Sequence, residues 1–339
     1  MSWQAIRGHD AQRAAFAEIV RRGKLAHAYL FVGPDGIGKR MFAVELARGL
    51  SCERASASNT LDACGQCPAC VQIAAGTYPD LDLLSLPEEK QEFPVELMQA
   101  FLQRISVKPV HARRRIAIID DADSFNEESA NCFLKTLEEP PPHSLVILLS
   151  PTTTQLLPTI VSRCQTVRFA PLDQESVATL LQEHHLVASP EQARQIAALA
   201  EGSLGQARLL ASAEVLKFQE ELLAALGASS FSGVTWAERI NKFVEEAGKD
   251  SAAKRQRAAL VVRLLLNTFR AALWSCTQPQ EASRSAPCVP YLAQKLGQIR
   301  LLELLDRCLE TDWMIQRRVQ LVLVLEALAD QLGHYLRAA

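Results

Sequence analysis

The apolar run Ala28-Tyr29-Leu30-Phe31-Val32 passes straight into Gly33-Pro34-Asp35-Gly36-Ile37-Gly38-Lys39-Arg40, and a stretch of helical character follows. A buried strand, a glycine-rich turn and a helix in that order leave few folds open. Glycines let several backbone N–H groups converge on a phosphate, and the helix N-terminus adds its partial positive charge. A plain glycine turn is the alternative, and the strand–turn–helix context disfavours it. Further apolar strands are expected at Leu81–Leu86, Arg115–Asp120 and Ser144–Ser150, with a less apolar one at Gln165–Phe169. Helices are expected near 38–51, 94–105 and 126–138. Continuous apolar strands separated by helices predict an α/β fold, a parallel sheet with helices on both faces.

After Phe169 the strand patterns stop. Residues 173–211 read as three short helices, with Gly202-Ser203 before the last. From about 213 the pattern is helical, with long segments around 252–275 and 314–336 and a loop-like stretch, Thr277 to Pro290, rich in Ser, Pro and Gln. The chain of 339 residues is therefore expected to hold an α/β domain at 1–168, a small helical domain at 169–211 and a helical domain at 212–339.

Composition narrows the function classes. Hydrophobic residues at 48% and charged residues at 22% describe a folded protein, and Lys+Arg at 36 against Asp+Glu at 38 gives a net charge of -2. That balance excludes coating nucleic acid by overall charge, though not a local basic patch. No apolar run of about 18–20 residues suited to a membrane span is evident, and the first residues do not begin a signal peptide. A soluble, cytoplasmic protein without a membrane partner is expected.

Four of the nine cysteines, Cys52, Cys64, Cys67 and Cys70, fall within one short segment; the other five are scattered. An odd total without a secretion signal argues against a disulfide framework. Four thiolates at this spacing suit a closed tetrahedral Zn²⁺ site, with Gly65 and Pro68 favouring its tight turns. An iron–sulfur cluster is the rival, but the fourth ligand lies upstream and the C-x3-C-P continuation is missing. A site closed by four protein ligands is structural.

The phosphate loop carries a defect. Gly33, Gly36 and Gly38 shape it and Lys39 is placed to reach β- and γ-phosphates, but a nucleotide loop ends in Lys-Ser or Lys-Thr because a hydroxyl ligates Mg²⁺. Arg40 stands there instead, a cation without an acceptor atom. The strand Ile116-Ala117-Ile118-Ile119 ends in Asp120-Asp121, where Asp120 is placed to hold a water on Mg²⁺. Asp121 is about one methylene shorter than the Glu that would orient an attacking water. Residual metal binding and simple capping of the following helix are both open readings of these acids. ATP binding is expected to be weak or absent, and hydrolysis is not expected.

Asn131-Cys132-Phe133-Leu134-Lys135-Thr136-Leu137-Glu138-Glu139-Pro140-Pro141 and Leu157-Pro158-Thr159-Ile160-Val161-Ser162-Arg163-Cys164, with His27-Ala28-Tyr29-Leu30-Phe31, closely resemble the clamp-loader ATPase family of the AAA+ class. The resemblance covers about residues 1–210. The cysteine module after the phosphate-loop helix is similar to the bacterial members, subunits of the DNA polymerase III holoenzyme. It implies an AAA+ domain with an inserted zinc module (52–70), a helical lid and a helical collar. It implies that Ser162-Arg163-Cys164 is an arginine-finger motif, with Arg163 acting in trans on a neighbour's ATP and Ser162 supporting it. The bland reading pairs Arg163 with a local carboxylate. It implies gamma/tau and delta subunits as partners, and the sliding clamp and primed DNA through the complex. The working ATPases of the family would show an intact Lys-Ser/Thr, Asp-Glu, and an arginine where this chain has Gly205 in Gly202-Ser203-Leu204-Gly205. A non-hydrolysing subunit is the favoured expectation, an active gamma-like ATPase the alternative, and a stand-alone zinc-dependent DNA-binding module the remote third.

Three features fit either a functional or a bland role. Arg113-Arg114-Arg115, with Lys108 and His111, is the densest basic run and suits DNA phosphates or a solvated loop. Lys135 and Glu138-Glu139 belong to an inter-subunit surface or an exposed helix end. Trp3, Trp236, Trp274 and Trp313 are expected as core or interface anchors rather than base-stacking platforms.

Overall fold

A computed structural model of the chain describes residues 3–58, 60–87, 90, 92–228, 231–248, 251–277, 288–317 and 319–337. The chain divides into two compact units, Met1–Arg208 and Leu209–Ala339.

In the first unit, helix α1 (Asp10–Arg21) precedes β1 (Ala28–Val32), and α2 (Lys39–Ser51) leaves the glycine turn. Two short helices, α3 (Glu53–Ser58) and α4 (Pro68–Ala75), form an insertion before β2 (Leu81–Leu84). Then come α5 (Val95–Ser106), β3 (Arg115–Ile119), α6 (Glu127–Glu138), β4 (Ser144–Ser150), α7 (Pro158–Val161) and β5 (Gln165–Arg168). Helices α8 (Gln174–Glu183), α9 (Pro190–Leu199) and α10 (Leu204–Leu210) follow. Each expected strand is present, three of them one or two residues shorter than the apolar run. The sheet is five-stranded in the order β2-β3-β4-β1-β5, and every neighbouring pair is parallel.

Alternation along the strands assigns their side chains to two cores. Leu30, Ala117, Ile119, Val146 and Leu148 pack with Met98, Phe101 and Ile105 of α5 and Phe133 and Leu137 of α6. Tyr29, Phe31, Ile116, Ile118, Leu145, Ile147 and Leu149 pack with Phe16 of α1 and Phe42 and Leu46 of α2. Both sheet faces are covered, which is why the interiors of β1, β3 and β4 are continuously apolar rather than alternating. The parallel crossovers bring the turn after β1 and the acids after β3 to the carboxyl edge of the sheet, where such folds bind ligands.

The second unit is helical: α11 (Ala213–Leu226), α12 (Gly233–Glu245), α13 (Ser251–Thr277), α14 (Cys288–Gln316) and α15 (Leu321–Arg337). Helix α13 packs on α14 and α12 on α15. Two expectations are corrected here. The stretch 314–336 is not one helix: Met314–Gln316 finish α14, and α15 begins at Leu321 after a polar run that holds neither Gly nor Pro, so no breaker announces the end. The loop-like stretch is helical at both margins, Thr277 in α13 and Cys288-Val289-Pro290 in α14; residues 278–287 lie outside the described residues. Helix α14 bends at Gly297, whose φ of 67° and ψ of 175° favour glycine.

Against the expectation of no span-like run, Ala253–Thr277 is long and apolar enough by composition to cross a membrane. Its Ala258, Val261, Val262, Leu265, Phe269 and Ala272 are buried within the bundle, which accounts for that composition. Beyond the bend, Ile299, Leu302, Leu309 and Trp313 lie exposed at positions i, i+3, i+10 and i+14 of α14, with Val322 and Leu323 of α15 also exposed. That spacing places the four on one helical face.

Candidate functional site

The phosphate loop has the expected shape. Gly36 (φ 75°) and Gly38 (φ 103°) occupy the left-handed region, and Gly38 caps the N-terminus of α2. Its lysine, however, is turned inward. Lys39 Nζ donates to the carbonyls of Gly33 (2.5 Å) and Pro34 (2.8 Å) and lies 3.3 Å from Asp35 Oδ1, with the side chain buried. The loop tip is closed by the segment that opens α10. Ser203 Oγ donates to the Asp35 carbonyl (2.7 Å), and Gly205 N–H donates to the Gly36 carbonyl (3.1 Å). A Cβ at Gly205 would stand 2.9 Å from Gly36 Cα, so no side chain fits there while the tip is closed. Buried His9 fixes the far side of the loop: a carbonyl only accepts, so Nε2 donates to Ile37 O (2.8 Å), and Nδ1 is buried without a hydrogen-bond partner.

Arg40 faces the acidic strand end. Its Nη1 lies 3.4 Å from Asp120 Oδ2, with the arginine half exposed. Burial holds the Asp120 carboxyl above its ordinary value, against the downward pull of the Arg40 guanidinium. Asp121 has φ 54°, and its N–H donates to Asp120 Oδ1 (3.2 Å). The capping reading of these acids is not what the structure adopts. The short 3₁₀ turn after Asp121 has no side-chain cap, and α6 is capped by Asn126, which accepts from Ser129 N–H at 2.8 Å.

Ser162 and Arg163 follow α7. Ser162 Oγ donates to the Thr159 carbonyl (3.0 Å), and Arg163 Nη1 donates to that carbonyl (3.1 Å) and to Ser162 Oγ (3.4 Å). Arg163 Nη2 pairs with Glu138 Oε1 at 2.7 Å, the side chains 37% and 50% exposed. Within the chain alone, the local-carboxylate arrangement is the one adopted.

The four cysteines come together where the insertion begins. Cys52 ends α2, Gly65 turns at φ 72°, Cys67 caps α4 and Pro68 starts it. All four Sγ atoms lie within 4.8 Å of one another. A tetrahedral Zn–S site at about 2.3 Å separates sulfurs by roughly 3.8 Å, so small movements admit the ion. Cys64 N–H donates to Cys52 Sγ and Cys67 N–H to Cys64 Sγ, both at 3.3 Å. Amides of Gln66 and Cys67 draw the Cys64 thiol down to about 6, and burial pushes Cys70 up to about 12. Four sulfurs, two of them buried and two receiving backbone amides, fit a metal that takes thiolates.

The basic run is partly spent. Buried Arg115 pairs with Asp82 at 2.9 Å, and Asp80 Oδ atoms accept from the amides of Val110, His111 and Ala112 at 2.7 Å. Lys108, His111 and Arg113 remain exposed. Lys135, Glu138 and Glu139 lie exposed on the last turn of α6 and its end. Trp3 is buried edge-on to Phe42 and Trp236 stacks on Phe231, whereas Trp274 and Trp313 are exposed. Asp35, Asp80 and the contact of Ser203 with the loop were not singled out from sequence. Asp80 and Ser203 act through long-range contacts that no local spacing encodes, whereas Asp35 meets Lys39 at a local i,i+4 spacing.

The family described as DNA polymerase III, delta subunit, matches residues 8–173. DNA polymerase III subunit delta' of Pseudomonas aeruginosa is 28% identical over 94% of this chain and 95% of its own length. The chain is similar to the family of DNA polymerase III delta', gamma and tau subunits. Within that family it is also similar to subunit delta' of Bacillus subtilis, 33% identical over 52% of each chain. The subunit tau of Escherichia coli is 35% identical over 59% of this chain but only 31% of its own length. Similarity to the Pseudomonas delta' thus extends along the chain, while similarity to the Bacillus delta' and to tau is confined to part of each protein.

Proposed function

We propose that this chain is the non-hydrolysing, delta'-type subunit of a bacterial DNA polymerase III clamp loader. It works with gamma/tau and delta subunits and, through the complex, with the sliding clamp and primed DNA in the cytoplasm. The contact between Arg40 and Asp120 carries this reading. Mg²⁺ on a nucleotide needs a hydroxyl from the loop and an acid from the strand. Here the hydroxyl is replaced by a cation, and that cation neutralises the acid. A divalent ion brought beside Arg40 meets repulsion in place of a ligand. The inward-turned Lys39 and the closed Gly36–Gly205 contact support the same conclusion.

Arg163 is the part that acts elsewhere. A guanidinium placed against a neighbour's triphosphate stabilises charge on the transferring phosphoryl group. Ser162 holds the loop, and the exposed apolar face of α14 supports assembly through the helical unit as a collar. Cys52, Cys64, Cys67 and Cys70 would hold Zn²⁺, which supplies a structural cross-link when bound.

The test is ATP turnover by the purified chain, expected to be no greater than that of Lys39→Ala. The tau likeness favours a second reading, an active gamma-like ATPase. Magnesium-dependent turnover that disappears in Lys39→Ala would establish that reading and overturn the first.

A further inference from the structure

Glu138 has no part in the function proposed so far, yet it sits where an acid is poorly placed. It is the last residue of α6, at the partially negative end of the helix. A carboxylate there is tolerated best beside a cation, and that cation is Arg163. A guanidinium presents two nitrogen pairs for bidentate contact with a phosphoryl group, Nε with Nη2 and Nη1 with Nη2. Both contain Nη2, the nitrogen held by Glu138, while Nη1 is taken by the Thr159 carbonyl and Ser162 Oγ. With Nη1 spent on the Thr159 carbonyl and Ser162 Oγ and Nη2 paired with Glu138, a phosphoryl group must compete with Glu138 for the guanidinium.

We propose that Glu138 is a latch on Arg163, a positioning residue that parks the guanidinium in the free subunit and yields it to a neighbour's triphosphate. The proposal rests on the finger role given above to Arg163. Both side chains are open to solvent, so the pair is weak enough to exchange. A triphosphate brings several negative charges against the single charge of the carboxylate, which sets the direction of the exchange. Glu138 also lies beside Glu139 and one turn from Lys135 at the exposed end of α6.

The experiment uses the complex reconstituted with its gamma/tau and delta subunits and carrying Glu138→Gln, Arg163→Ala or both. DNA-stimulated ATP turnover is measured as kcat and KM, with the melting temperature of each variant subunit. Glu138→Gln is expected to raise kcat/KM by roughly two- to five-fold, the worth of an exposed ion pair. The gain is expected to vanish when Arg163 is already alanine. With Arg163→Ala impaired, a Glu138→Gln complex that is unchanged or slower overturns the latch and leaves the finger standing. A gain that persists without Arg163 also overturns the latch. An Arg163→Ala complex that works normally removes the finger, and the latch with it.

Discussion

Arg40 opens α2 at a point where a hydroxyl would serve a metal, and its guanidinium answers Asp120 instead. The surrounding residues have adapted to the same arrangement. Lys39 satisfies loop carbonyls, and Gly205 lets the α10 segment touch Gly36. Restoring one residue should therefore not restore the site. Gly205→Arg is expected to force the tip open at about 1–3 kcal/mol of stability, read from urea unfolding, because its Cβ meets backbone rather than a movable side chain. An unchanged urea midpoint would show that the tip opens freely.

At the scale of elements, the insertion between α2 and β2 is too short to bury a core of its own. It buries only two small clusters, Cys52 with Ala55 and Cys70, and Ala69 with Ile73 and Tyr78. A metal is the physical means by which such a segment holds shape. Elemental analysis is expected to find one zinc per chain, and Cys67→Ser to abolish it and lower the melting temperature by about 5 °C or more. Iron in place of zinc, or no metal, would contradict this. The cysteine cluster was legible in the sequence because its members are local: four cysteines, a glycine and a proline in one segment. The strands were legible for a related reason, since burial on both faces leaves a continuous apolar run. The partner of Arg163 was not. Glu138 and Arg163 are joined by folding across β4, and no spacing rule pairs them. The break between α14 and α15 was missed because Gln316-Arg317 and Val319-Gln320 continue an acceptable helical pattern without a breaker residue.

For the molecule as a whole, the two units divide the work. The α/β unit carries the glycine loop with its Arg40–Asp120 contact and the paired Arg163, and the helical unit carries an exposed apolar stripe. Ile299, at 75% exposed, with Leu302, Leu309 and Trp313, makes an apolar row on α14 interrupted by Asp306. Trp313→Asp is expected to weaken assembly with the other subunits by about 2 kcal/mol or more, measured by sedimentation of the complex, while the subunit's own melting temperature holds. Normal assembly would remove α14 from the interface.

Under the proposed function, this chain serves a neighbour's ATP and not its own. The most direct measurement is single-turnover ATP hydrolysis, on primed DNA, at the complex's site that faces this subunit, with wild-type chain or Arg163→Ala. Hydrolysis there is expected to fall by about 10³-fold or more while the complex still assembles. Hydrolysis at the wild-type rate in an intact Arg163→Ala complex would contradict it.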